Sequence, residues 1–408
     1  MTEEIEMKIC MVAFGPIEDR TGGYEVRCSQ IIQSLVELGH KVYVLEFPTT
    51  IAKRKKTDLK ENRMVEFVHL RGNEHMKSKL FKTLAPPLKE NTISYLFLFV
   101  RIELYSIAEL SRSMETIKDC EVILVESVFF PFAMVLAKLL RRRVILDTHY
   151  MGKLQAQKYK KKHNLHRLVI WDSLERFASS LSDFVVVVSD EEKAFAKNEY
   201  GIPEEKLAVI PVTIEPLEVR ISQQMLKKAA EEWNLQNKIV VTFLGTLEAS
   251  PNRDAVNFIV QELAPSIYRK NREVVFLVIG KGKEQFRHYT SPNVIFTGFI
   301  KDVNPLLQLS DVCIAPMRIG SGVKTKVLEY MSHGKPVLTT PEGIQGIKAQ
   351  NVDSVIVSNI ENYRDKLIEV IENLDELKGK GKNGQEIVRK QYSLSTLKKR
   401  LSEILTLI

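Results

Sequence analysis

Residues 310–346 read SDVCIAPMRIGSGVKTKVLEYMSHGKPVLTTPEGIQG, and this stretch decides the fold. Val312 to Met317 is an apolar run of the kind that forms a strand buried on both faces of a parallel sheet. Gly320, Ser321 and Gly322 then break any regular element. Val323, Val327, Leu328 and Met331 recur at helical spacing, and Gly334 followed by Pro336 stops the helix. Pro336 to Thr340 predicts a second short strand. The unit is therefore strand, glycine loop, helix, strand. The N–H groups that open such a helix form an anion site, and glycines let a phosphate approach the backbone. Arg318, Lys324 and Lys326 put cations at the same mouth, while Glu329 lies three residues after Lys326 on the same helix face. A carboxylate beside a phosphate site suits a hydroxylated group such as a ribose. By themselves, the residues fit equally an exposed Lys–Glu helix in an ordinary βαβ unit.

The same alternation extends in both directions. Residues 7–14 (MKICMVAF) predict a strand, followed by a loop ending in Gly22 and Gly23, a helix over 24–38 and a strand over 41–45. The loop sits where parallel α/β sheets bind ligands, but the dinucleotide fingerprint GxGxxG is missing. Strands are expected at 65–70, 121–126, 144–147, 184–188 and 207–210, with helices between them, including one or two over 92–117. Prolines 203, 211 and 216 mark an interdomain linker at 211–222. A second alternation follows: strand 238–244, loop 245–253, helix 254–269, strand 274–279, turn 280–284, strand 294–297 and helix 302–309. The tail, 361–408, is charged and helical, with a Gly/Lys break expected at 379–384. Leu181-Ser182-Asp183-Phe184 and Leu309-Ser310-Asp311-Val312 echo each other, each closing a helix and opening a strand.

Composition narrows the class further. A length of 408 residues allows two large α/β domains, and 44% hydrophobic with 27% charged residues is globular. Cys10, Cys28, Cys120 and Cys313 lie far apart with no CxxC, which predicts reduced thiols in a cytoplasmic protein without disulfides or structural zinc. The acidic start MTEEIEM leads straight into a strand, so no signal peptide is expected. Thr92–Val100 and Val128–Leu140 are too short and too interrupted to span a bilayer. The net charge of +8 is compatible with nucleic acid, anionic lipid or a phosphorylated small molecule.

Four segments in order, VTFLGTLEASPNRDAVNFI (241–259), VFLVIGKG (275–282), NVIFTGFIKDV (293–303) and the opening stretch, make the second half resemble the nucleotide-sugar-binding half of retaining glycosyltransferases of family 4. The first half resembles the same family more loosely, through GHKVYVLE (39–46) and ILDTHY (145–150). The resemblance implies a GT-B fold: two Rossmann-like parallel-sheet domains facing across a cleft, with a C-terminal helix crossing back. Residues 1–212 would form the acceptor domain, 213–385 the nucleotide-sugar domain and 386–408 the returning helix. It further implies that Glu329 accepts hydrogen bonds from a ribose, and that Arg318 and Lys324 stabilise the departing pyrophosphate, with Lys326 beside them. Gly245, Thr246, Ile300, Gly320, Ser321 and Gly322 would complete the donor site, and Gly22 and Gly23 would admit its phosphate from the first domain. His149 matches a family histidine near the donor sugar, where imidazole suits transient proton handling; a histidine held by loop backbone is the plainer reading.

Two departures from the family pattern stand out. The loop after the first strand of the second half offers only Arg253 as a cation, and Ser321 occupies the place of the first glutamate of the family's Glu-x7-Glu pair. No Asp-x-Asp metal motif occurs, so metal-independent transfer without a cofactor is expected. The implied partners are a nucleotide-sugar donor and a glycan or lipid-linked acceptor; the basic run Lys138–Arg176 reads either as a solvated face or as a contact for a phosphorylated acceptor or the cytoplasmic face of an anionic membrane. Nucleic acid is disfavoured, because no basic strand is interleaved with aromatics. The competing readings are a UDP-sugar 2-epimerase of the same fold and a noncatalytic nucleotide-sugar or nucleic-acid-binding protein.

Overall fold

The computed structural model describes residues 6–15, 17, 23–48, 62–68, 113–158, 165–214, 221–289, 291–320, 322–349 and 352–408. Residues 92–112 of the expected helices, Ser321, Gly22 and half of the expected linker, 215–220, lie outside the described residues.

The chain divides into two compact units, Met1–Pro211 with Leu394–Ile408, and Val212–Ser393. Unit 1 carries strands β1 (Lys8–Gly15), β2 (Lys41–Pro48), β3 (Val65–Phe67), β4 (Val122–Val125), β5 (Arg143–Asp147), β6 (Phe184–Val187) and β7 (Leu207–Val209). They form one parallel sheet in the order β3-β2-β1-β4-β5-β6-β7. Its helices are α1 (Gly23–Glu37), α2 (Met114–Asp119), α3 (Pro131–Leu139), α4 (Gly152–Lys158), α5 (Leu165–Leu181) and α6 (Asp190–Tyr200). The second unit carries β8 (Ile239–Leu244), β9 (Val274–Ile279), β10 (Val294–Gly298), β11 (Val312–Ala315), β12 (Val337–Thr339) and β13 (Val355–Val357), ordered β10-β9-β8-β11-β12-β13. Around them lie α7 (Gln223–Glu232), α8 (Ser250–Phe258), α9 (Ala264–Lys270), α10 (Asn304–Leu309), α11 (Thr325–Ser332), α12 (Pro341–Ile344), α13 (Tyr363–Glu372) and α14 (Leu374–Gln391). The last helix, α15 (Leu394–Leu405), belongs to unit 1, where Leu397, Leu401, Ile404 and Leu405 are buried with Ile31, Ile32 and Leu35 of α1.

Why these sequences take these forms is visible locally. All six residues of β9 are buried, as a strand covered by helices on both faces requires. α6 begins at Ser189, whose side chain accepts from the Glu192 N–H, and ends at Gly201 in the left-handed conformation. The Ser/Asp echo is a shared building device. Ser182 Oγ donates back to Ala178 O, and Ser310 Oγ to Leu306 O, each at 2.8 Å. Asp183 then accepts the Val144 N–H and Asp311 the Val240 N–H, each at 2.8 Å, so each aspartate joins its new strand to an existing one.

Three expectations need correction. α14 runs unbroken through Gly379, Gly381 and Gly384, and residues 386–393 stay with the second unit. The glycines are contacts rather than a break: a Cβ on Gly381 would lie 1.9 Å from Gly334 O, so only glycine lets α14 pack against the end of α11. The expected helix over 254–269 begins earlier, at Ser250, and is joined to α9 by a π-helical segment, Ile259–Leu263. The third correction is β13, a three-residue strand not anticipated from the sequence.

Each sheet has one point where the strand order reverses, between β1 and β4 and between β8 and β11. Ligands of open parallel sheets bind beyond the carboxyl ends of the strands at such points.

Candidate active site

In the second unit, the loops that follow β8 and β11 flank the reversal. Gly245 and Thr246 follow β8, and Arg318, Gly320 and Gly322 lie in the stretch that follows β11. The first loop also packs against the one after β9: a Cβ on Gly280, whose φ is +146°, would stand 1.9 Å from Gly245 O. Lys324 immediately precedes α11, and no side chain caps the helix's first turn. Its opening N–H groups are thus the kind of anion site the sequence predicts.

Lys326 is buried. Its Nζ donates to Asn252 Oδ1 at 2.6 Å, lies 4.0 Å above the Phe243 ring and would be 2.9 Å from a Cβ on Gly245. Asn252 Nδ2 in turn donates to Thr246 O at 2.9 Å. Gly245, the Thr246 carbonyl, Asn252 and Lys326 therefore form one cluster, while the Thr246 side chain is exposed. Burial, with repulsion from Lys324, pushes the Lys326 ammonium down to about 7 against a pull from Glu329. Burial likewise pushes the Glu329 carboxyl up to about 7 against the pull of Lys326. Among the described residues the Glu329 carboxylate meets no hydrogen-bond or ion-pair partner.

Lys324 Nζ donates to Gly322 O at 2.8 Å, and a Cβ on Gly320 would lie 3.5 Å from Lys324 Cε and 3.3 Å from Pro251 Cβ. Gly320, Gly322 and Lys324 thus adjoin the start of α8. Arg318 is engaged elsewhere. Its guanidinium grips Asp254 through two bonds of 2.9 and 2.7 Å and lies over Phe258. Ile300 packs with the cluster of Leu235, Val240 and Leu306, so its side chain serves the core. Arg253 pairs with Gln285 at 3.0 Å. The sequence reading missed Asn252, Arg253's neighbour, which is the residue that meets Lys326.

In unit 1, His149 follows β5 with φ +55°, a left-handed conformation unusual outside glycine. Asp147 Oδ1 accepts its N–H at 3.1 Å and so braces that conformation. Arg27 pairs with Asp147 at 2.8 Å, both side chains buried, and donates to Ile210 O and Pro211 O at 3.0 and 3.1 Å. Burial would raise the Asp147 carboxyl, but Arg27 and His149 hold it below the ordinary carboxylate range. His149 Nε2 lies 2.7 Å from Glu126 Oε2, and its ring sits 4.4 Å from that of Tyr24. Burial and repulsion from Asp147 raise the Glu126 carboxyl. Gly23 opens α1 of this unit.

Cys28, Glu126 and His149 place three ligand-type atoms within 4.8 Å of one another. The 2.7 Å His–Glu approach is a hydrogen bond, and burial raises the Cys28 thiol well above its ordinary range, so the trio fits a proton network better than a metal. The loop after His149 is held by two buried carboxylates: Glu192 accepts the Met151 N–H at 3.3 Å, and Glu175 accepts the Gly152 N–H. Burial pushes each up to about 7.

Much of the basic run is paired. Lys138 and Arg143 share Asp183, Lys153 meets Asp172 and Glu199, and Arg176 meets Asp172. Leu139, Val169 and Phe177 are exposed on α3 and α5, helices that pack together. Among the described residues no helix is long and apolar enough to cross a membrane.

Residues 21–216 match a family model described as Glycosyltransferase Family 4, and residues 238–373 match one described as Glycosyl transferases group 1. No curated protein matches the chain in sequence. Among solved structures, Alr3699/HepE of Anabaena, in complex with UDP and glucose, aligns over 99% of this chain and 100% of its own, with a TM-score of 0.70 and 15% identity. WaaG, a glycosyltransferase involved in lipopolysaccharide biosynthesis, aligns over 98% and 99%, with a TM-score of 0.66 and 15% identity. Sucrose-phosphate synthase of Thermosynechococcus elongatus aligns over 97% and 98%, with a TM-score of 0.65 and 13% identity. At these identities the likeness is one of fold. The domain models supply the activity class and set aside the epimerase and noncatalytic readings: the chain is a glycosyltransferase of the GT-B type.

Proposed function

We propose that the enzyme is a retaining member of family 4 that moves a sugar from a nucleoside-diphosphate-sugar to a hydroxyl of a glycan or lipid-linked acceptor, without a metal ion. The observation that carries this reading is Glu329, a half-buried carboxylate that no protein donor meets among the described residues, beside a helix start that no side chain caps. A carboxylate with no protein donor is open to accept from a ligand, and ribose hydroxyls would supply such donors. In the transfer, the acceptor oxygen bonds to the anomeric carbon as the bond from that carbon to the β-phosphate oxygen breaks. The electron pair leaves with the nucleoside diphosphate, and the acceptor proton passes to the departing phosphate oxygen. Lys326, Lys324 and the N–H groups of α11 meet the growing negative charge. Arg318 joins them only if its pairing with Asp254 opens.

HepE has been solved with UDP and with UDP-glucose, so UDP-sugars head the donor panel. A thermal-shift screen of UDP-, GDP- and ADP-sugars should give one nucleotide series that stabilises the protein, and no shift from any of them would refute the reading. Product NMR should show the donor's anomeric configuration kept; an inverted product would remove the enzyme from the retaining class. Exposed Leu139, Val169 and Phe177 near a basic run support peripheral docking on an anionic membrane. Flotation with anionic vesicles should be salt-sensitive, and absence of flotation would end the membrane reading.

A further inference from the structure

We propose that Glu126 is a positioning residue that sets the tautomer of His149, so that Nε2 carries the proton and Nδ1 can accept a hydrogen bond from a substrate hydroxyl during the transfer. This rests on the reading of His149 as an active-site residue. Two groups converge on one oxygen of Glu126: His149 Nε2 lies 2.7 Å away, and the Cys28 thiol donates to it at 3.7 Å. Were that oxygen a hydroxyl donating to Nε2, the thiol would be left with a weaker, neutral acceptor, whereas a carboxylate oxygen can accept from both. Its other oxygen, Oε1, is buried and has no partner, so a hydroxyl there would be a donor with nothing to receive it. The proton of the pair therefore sits on Nε2.

His149 Nδ1 has no partner among the described residues. The ring is held in this orientation from several sides. The Tyr24 ring lies against it, and Tyr24's own hydroxyl accepts from the Phe14 N–H at 2.9 Å. The backbone of His149 is fixed by Asp147, whose charge Arg27 balances. Turning the ring over would strip Glu126 of its strong donor, leaving a buried carboxylate, and such a loss costs more for a charged group than for a neutral one. A carboxylate that fixes a histidine's tautomer does so without touching substrate, which is the role argued for Glu126.

The test uses the full-length protein with histidine labelled in its ring nitrogens, the His149 signals being assigned by their loss in His149→Gln. At mildly alkaline pH the wild type should show a protonated, slowly exchanging Nε2 and an unprotonated Nδ1. A protonated Nδ1 overturns the proposal, and this holds whether or not any variant folds. Glu126→Ala should lower kcat about 10-fold or more while calorimetric donor affinity changes by less than about 2-fold. Unchanged kcat, or an equal loss of affinity and turnover, overturns it. Donor binding to the wild type is read in the same calorimetry, so a failed transferase reading stays distinct from a failed tautomer assignment.

Discussion

The two units share a sheet plan and the Ser/Asp joint between helix and strand, yet they treat buried charge in opposite ways. In the first, Arg27 meets Asp147 at 2.8 Å and also takes two backbone carbonyls, and His149 meets Glu126 at 2.7 Å. In the second, Lys326 rests on an amide and an aromatic face, and Glu329 rests on nothing among the described residues. Both groups are displaced to about 7 by burial. A saturated pair such as Arg27–Asp147 holds a shape, whereas a group without a partner waits for a ligand to complete it. Perturbed groups in a strand-end crevice mark such a place.

The largest effect should come from breaking the saturated Arg27–Asp147 pair. Arg27→Ala leaves Asp147 buried and unpaired, which should cost about 3–5 kcal/mol in urea unfolding. Lys326→Met should be neutral or stabilising in the same assay, because it removes a desolvated charge that has no counter-ion. Equal losses from the two would erase the contrast. Next, Glu329→Ala should weaken donor binding by about 10- to 100-fold, since hydrogen bonds to a charged group are worth about 1.5–3 kcal/mol. Calorimetry that shows wild-type affinity would break the assignment. Asn252→Ala removes a single acceptor from Lys326 and should cost about 1 kcal/mol, read as a few-fold loss of donor affinity.

The subtlest effect is the pH dependence of stability. The folded Glu329 carboxyl titrates near 7 rather than at its ordinary 4.5, so the folded state holds more protons between those values. Its contribution is present below about 4.5 and lost as pH rises through about 7. Lys326 is the reverse: titrating near 7 rather than 10.5, it contributes above 10.5 and loses that contribution as pH falls through about 7. Urea midpoints across pH should lose the first slope in Glu329→Ala and the second in Lys326→Met. Unaltered slopes would show that these groups are not the ones displaced.

Much of this was legible in sequence. The β11–loop–α11–β12 unit is written in period and punctuation, and Glu329 and Lys326 declare themselves by spacing along one helix. Asn252 was hidden because its partner lies 74 residues away and its meaning depends on Lys326 folding back over Phe243. Arg27 and Glu126 were hidden for the same reason, being joined to Asp147 and His149 only by the ordering of β4, β5 and α1. α14 was misread because local propensity counts Gly379, Gly381 and Gly384 as breakers, while the packing of Gly381 on Gly334 makes one of them a requirement. β13 is too short, at three residues, to carry an alternation of its own.

The central claim, that Glu329 receives the ribose of a nucleoside-diphosphate donor, is tested most directly by a double-mutant cycle in binding. Wild type and Glu329→Ala are each titrated by calorimetry with the stabilising nucleoside diphosphate and with its 2′,3′-dideoxy analogue. The account predicts that removing the ribose hydroxyls weakens binding to the wild type and hardly affects the variant, a coupling of about 1.5–3 kcal/mol. Equal losses in both proteins, with no coupling, would contradict it.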